Sequence, residues 1–297
     1  MNSMNLLKAA VLTSVLSLSV IACSQKAQNT EEIAAAGSSI IGGVQVEAQD
    51  TISKSTVAII ASVTTEDGKE GQFICTGSLL SDNVVLTAGH CVPTEKEYKS
   101  IALYVIFSRD LNKMERTDVR LVTDALIHPQ YGSSTEGADA HDVAVIRFAG
   151  AKASGYEIAK FLDDESVLTE GAVVTLAGYG LNKTDGVNTE SDNTLRKVNV
   201  EVAGNLGKNE IILDQQNGRG ACHGDSGGPA FINVAGVEYV WGVTSRGAGK
   251  NGVDDCSLAS VYTKVKSERT FINAALTQLS VKPGSLSDLD GLDGEGI

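Results

Sequence analysis

Between Ser55 and Val265 the chain is a succession of short apolar runs, each ending in a polar, turn-forming segment. The runs are Ser55–Thr64, Gly71–Leu80, Val84–Thr87, Ile101–Phe107, Arg120–Ile127, Val143–Phe148, Val173–Gly178, Leu195–Val202, Ile211–Leu213, Val237–Ser245 and Leu258–Val265. They are rich in Val, Ile and Thr, and 31 glycines supply the turns, a pattern that favours β-structure over helices. Repeated strands at this spacing point to a sandwich or to barrels. A gap around Ala149–Gly155 reads as a connector between two similar halves, although no internal repeat links them. One helix is predicted, Ser267–Leu279, where Phe271, Ile272, Ala275, Leu276 and Leu279 share a face.

Both ends differ from this middle. Residues 1–23 carry one lysine, Lys8, and then an apolar run to Ala22, which is too short for a stable span and reads as an export signal. Its end, Val20-Ile21-Ala22-Cys23, resembles the lipobox of bacterial lipoproteins, which implies lipidation of Cys23; the plainer alternative is an ordinary signal cut nearby. Residues 24–39 are small and polar, a linker or propeptide with little to bury. Residues 281–297 form an acidic, glycine-rich tail whose aspartates stop short of a complete calcium loop. A net charge of −13 repels a phosphate backbone and sets nucleic acid aside as a partner.

Five cysteines are an odd number for an exported chain. If Cys23 carries lipid, Cys75, Cys91, Cys222 and Cys256 remain, enough for two disulfides in any of three pairings.

Chemistry concentrates around Ser226, framed by glycines in "GDSGGP", Gly224–Pro229. There are four histidines: His90, His128, His141 and His223. His90 ends an apolar strand in "VVLTAGHC", a rigid place for a general base. A metal site with Cys75 and Cys91 is disfavoured, because the close C-x₂₋₄-C spacing is absent. Asp142 precedes an apolar strand in "HDVAVIRF"; alone it reads as a strand-edge charge, but a triad needs such a carboxylate. The order His90, Asp142, Ser226 rules out an α/β-hydrolase elbow, since no histidine follows His223.

"IIGG" at Ile40–Gly43, "TAGHC" at Thr87–Cys91, "DVAVI" at Asp142–Ile146, "GDSGGP" and "VYTKV" at Val261–Val265 stand in one order. With them the chain resembles the chymotrypsin/trypsin family of serine proteases from Ile40 to about Leu279. That resemblance implies an all-β fold of two packed antiparallel six-stranded barrels with a C-terminal α-helix. The barrels would span about 40–150 and 155–265 within a peptidase domain of 40–280. It implies Ser226 as nucleophile, His90 as acid/base, Asp142 as orienting carboxylate, and the N–H groups of Gly224 and Ser226 as oxyanion hole. It pairs Cys75 with Cys91 and Cys222 with Cys256. It assigns substrate contacts to Gly220, Ser245, Gly247 and Ser260, and activation to Ile40 and Asp225. The chain would be a zymogen acting on proteins or peptides as a monomer, after an activating protease, without cofactor or metal. A catalytically silent binding module and an esterase are the alternatives.

Three departures stand out. Gly220 occupies the pocket-base position where trypsin-like members carry aspartate, Arg246 replaces a tryptophan, and Ser39 precedes Ile40 in place of Arg or Lys. The missing carboxylate argues for a small or medium uncharged residue at the cleavage position, unless Asp254 or Asp255 of the long loop before Cys256 supplies one. His128 and His141 are expected in a turn and at a strand start, and His223 at the cleft rim.

Overall fold

The computed structural model describes residues 40–132, 137–181, 183–184, 189–248 and 256–280. Cys23, the 24–39 linker with Ser39, Asp254, Asp255 and the 281–297 tail lie outside the described residues. After β1 (Val44–Gln45) and a short helix α1 (Ile52–Ser55) comes a closed antiparallel barrel. Its strands are β2 (Thr56–Thr64), β3 (Glu70–Leu79), β4 (Val84–Thr87), β5 (Ser100–Ile106), β6 (Val119–Ile127) and β7 (Ala144–Phe148), in the order β2-β3-β4-β7-β6-β5. β2 pairs along its length with β3 and from Ala58 onward with β5, which closes the ring.

The second barrel holds β8 (Val173–Gly178), β11 (Arg196–Leu206), β12 (Glu210–Asp214), β13 (Pro229–Val234), β14 (Val237–Ala248) and β15 (Ala259–Lys264). Their order is β11-β12-β15-β14-β13-β8, closed by β8 against β11. β1 lies on the outer edge of β11, and β9 (Lys183–Thr184) with β10 (Thr189–Glu190) makes a separate hairpin. The two predicted barrels are present, with one strand more than the apolar runs named: β13. The helix α2 runs Arg269–Ser280 and buries Ile272, Ala275 and Leu279, as its spacing predicts.

One core fills the first barrel and extends to Tyr179, Val243 and the inner face of α2; the other fills the second barrel around Trp241, Leu176 and Tyr262. Ile40 belongs to this second core and is fully buried. The barrels are joined at Thr76 of β3. Its N–H donates to Ser226 O at 2.8 Å, and its hydroxyl donates to Gly224 O at 3.0 Å while accepting from Tyr179 N at 3.2 Å. A threonine of one barrel thus fixes the serine loop of the other.

Candidate active site

Three turns converge where the barrels meet. His90 sits in a 3₁₀ turn, Gly89–Cys91, directly after β4. Asp142 ends the segment before β7, and its carboxylate is 3% exposed. Ser226 lies in the loop between β12 and β13. Cys91 Sγ stands 3.5 Å from Ser226 O, so the serine peptide adjoins the turn that carries His90.

His90 and Asp142 are locked together twice. The carboxylate accepts from His90 N at 3.1 Å through one oxygen and contacts His90 Nδ1 at 2.8 Å through the other. An ionised carboxylate there places the ring proton on Nδ1 and leaves Nε2 as a base. The Ser245 hydroxyl donates to the same carboxylate oxygen at 2.7 Å. Burial pushes the Asp142 carboxyl up, but hydrogen bonds from His90 and Ser245 and the charge of His90 outweigh it and hold it below the usual value. Among the described residues the Ser226 hydroxyl makes no hydrogen bond.

The serine loop has little choice of sequence. Gly224 has φ 96°, and a Cβ there would come within 2.7 Å of Gly180 Cα and 2.9 Å of Ile74 Cγ2. Among the described residues nothing accepts from the N–H of Gly224 or of Ser226, although Gly224 is buried. Idle buried N–H groups are rare in folded proteins, so the one at Gly224 stands out. Asp225, between Gly224 and Ser226, is 1% exposed and accepts from Cys222 N at 2.9 Å and Gly180 N at 2.8 Å. No cationic side chain among the described residues pairs with it, and burial pushes its carboxyl up to about 7.

The disulfides are Cys75–Cys91 and Cys222–Cys256, crosslinks suited to an oxidising compartment. They rule out thiolate metal sites beside His90 and His223. His223 is exposed and offers its carbonyl to Leu181 N. His128 opens the turn expected of it, since Tyr131 N donates to its carbonyl at 2.9 Å, and its ring meets that of His141. The two rings stack at 4.7 Å and face the buried Glu268, with His141 Nδ1 at 3.1 Å and His128 Nε2 at 3.3 Å. Gln130 N donates to His128 Nδ1, which puts the neutral ring's proton on Nε2, toward Glu268. The three side chains therefore form a hydrogen-bonded cluster, whereas a metal needs that nitrogen's lone pair. His141, expected to start a strand, instead has φ 50°, and β7 begins at Ala144.

At the pocket-base position, Gly220 N donates to Ile41 O at 3.0 Å. A side chain on Gly220 would overlap the amide of Gln215. That amide is held on both sides: Nε2 donates to Ala221 O and Cys256 O, and Oε1 accepts from Ala221 N. Gly247 pairs with Ser260 across β14 and β15, and the Ser260 hydroxyl is buried without a protein partner among the described residues. Glu210, Gln215 and Glu268 were not singled out by sequence; each is one polar residue with partners far along the chain.

A family model described as Trypsin matches residues 40–272. The chain belongs to the trypsin family. It is 30% identical over 224 residues to brachyurin of Leptuca pugilator, covering 72% of this chain and 91% of that protein. It is 24% identical over 257 residues to chymotrypsin-like elastase family member 1 of Canis lupus familiaris, covering 82% and 95%. The bovine elastase of that name is 25% identical over 260 residues, covering 84% and 93%. The trypsin-family chain is thus a serine protease, a hydrolase of protein or peptide substrates.

Proposed function

We propose that the chain is a serine endopeptidase working through His90, Asp142 and Ser226 and an acyl-enzyme intermediate. The observation that carries this reading is the pair of idle N–H groups at Gly224 and Ser226. A tetrahedral intermediate develops negative charge on the former carbonyl oxygen, and these donors are in place before it forms. His90 Nε2 takes the Ser226 proton and returns it to the leaving amine; Asp142 holds the ring and stabilises its cation. The serine–base hydrogen bond closes when substrate binds, as is common in free enzymes. Ser226→Ala is expected to abolish peptidase activity and fluorophosphonate labelling without unfolding the chain. Asp142→Asn should cut turnover by about 10⁴. A near-wild-type rate in either variant overturns the reading, and peptide against ester turnover separates a protease from an esterase.

For specificity, Gln215 supports an uncharged cleavage-site residue. Its neutral amide fills the space that a pocket-base side chain would need, and it carries no charge to pair with a substrate cation. A small pocket is what an elastase uses, in keeping with the names of two relatives.

For activation, the zymogen reading has two supports. Asp225 is a buried acid with no cation beside it among the described residues, and an amino group freed at Ile40 would supply one. Ile40 has φ 54°, a position of order 1–3 kcal/mol of strain for a β-branched residue, and φ ceases to exist when the preceding peptide bond is cut. If Cys23 is lipidated, that same cut releases the domain from its anchor. Sequencing the amino termini of membrane-bound and soluble forms, with assay of both, tests this. A soluble active form starting at Ile40 is expected; full activity in a lipidated form starting at Cys23 overturns it.

A further inference from the structure

We infer that Glu210 and Arg246 are positioning residues that set the location of Asp142, an inference resting on the triad reading above. Arg246 follows Ser245 on β14. Its guanidinium grips Glu210 with two nitrogens, Nη1 to Oε1 at 2.7 Å and Nη2 to Oε2 at 2.8 Å. The same nitrogens donate to Ser245 Oγ at 3.3 Å and to Gly137 O at 2.7 Å. Glu210, fully buried on β12, also accepts from Asp139 N at 2.9 Å and Ala140 N at 3.3 Å.

These contacts close a circuit. It runs from Asp142 to the Ser245 hydroxyl, to Arg246, to Glu210, to the amides of Asp139 and Ala140, and back along two peptide units to Asp142. The backbone inside the circuit is strained. Asp139 has φ 56° and His141 φ 50°, and the short turn from Val143 N to His141 O at 2.8 Å aims Asp142 at His90. Such backbone persists only where its surroundings over-determine it. Here Glu210 holds the amides, Lys208 N and Asn209 N hold the Asp139 carboxylate, and Glu268 holds the His141 ring.

Arg246 is not a subsite for an acidic substrate. Its guanidinium lies in a bidentate pair and its four terminal N–H groups have partners, although it lines a cleft of about 390 Å³ with His90, Tyr131 and Asp142. The charge is spent on geometry.

The test is the inactivation of the processed enzyme by a small fluorophosphonate, which reacts with Ser226 whatever the pocket prefers. Glu210→Gln and Arg246→Leu are expected to lower the limiting inactivation rate at least tenfold, with the saturation constant unchanged within about twofold. The His90 Nδ1 proton resonance at low field should shift or broaden in both. Removing one partner of a buried pair can unfold a protein, so Glu210→Leu with Arg246→Leu is the second variant, since apolar replacement of both is often tolerated. It should fold and still show the slowed rate. A folded double variant with wild-type rate and an unshifted resonance overturns the proposal, as does a loss confined to the saturation constant. Asp142→Asn in the same assay keeps the two readings apart. If it is slow and the circuit variants are fast, only the positioning role fails; if it is fast, the triad reading fails.

Discussion

Gly227 has φ 78°, and a Cβ on it would overlap Thr87 Oγ1 and come within 2.8 Å of Ala88 N. Gly227→Ala combines a strained conformation with a clash against backbone, so a loss of at least about 2 kcal/mol is expected by urea denaturation. Gly220→Asp should fail too, because the new Cβ meets the Gln215 amide. Paired with Gln215→Ala it should fold and raise the kcat/KM of lysyl over alanyl substrates at least tenfold. A single Gly220→Asp variant of wild-type stability would show that Gln215 does not fill that space. His90, Asp142 and Ser226 were legible because each sits in a short local pattern and their chain order discriminates between enzyme classes. Glu210 was not legible. It is one acid opening an apolar strand, and its partners lie 36 to 71 residues away. Glu268 shares this property, and Gln215 does through Cys256: their meaning resides in long-range geometry, which no local pattern carries.

At the scale of elements, strands that are largely buried were readable to within a residue or two, as at β4 and β8, because burial demands a run of apolar, β-branched residues. β13 was missed because it starts on Pro229 inside "GDSGGP", where chemistry and strand share the same letters. Its register against β14 carries a bulge at Ala230/Phe231, so no clean alternation marks it. The helix began two residues later than its periodicity implied, since Glu268 is drawn into the imidazole cluster and its carbonyl accepts from Ile272 N. The crosslinks act on this scale too. Cys75–Cys91 spans 16 residues and Cys222–Cys256 spans 34, so chain entropy predicts losses of about 3 and about 4 kcal/mol on replacing each pair by serine. The second loss should also weaken substrate binding, because Cys256 O anchors Gln215. Denaturation midpoints and KM for both double variants check this; equal KM values would sever the link between that disulfide and the pocket.

On the activation reading proposed above, the whole molecule is expected to behave differently before and after a cut at Ile40. In the uncut chain Asp225 is buried with no cationic partner among the described residues, and its carboxyl lies near 7 against about 3.9 for an unfolded aspartate. The folded chain therefore holds a proton that the unfolded chain releases. Stability is fully present below about pH 4 and is lost as pH rises through about 7, by at most on the order of 4 kcal/mol. Asp142, held below its usual value, works in the opposite direction: its contribution is lost only as pH falls below the carboxylate range, outside this window. A freed Ile40 amine would change the sign of the environment around Asp225, lower its carboxyl and remove the loss on the alkaline side. The comparison uses Ser226→Ala precursor, which cannot process itself, and processed enzyme, with melting temperature followed from pH 4 to 8. The precursor is expected to lose stability across that range, Asp225→Asn in the precursor to flatten the curve, and the processed form to hold or gain stability. Parallel curves for precursor and processed enzyme would mean that the Ile40 amine never reaches Asp225, and that the protease is organised by some other contact.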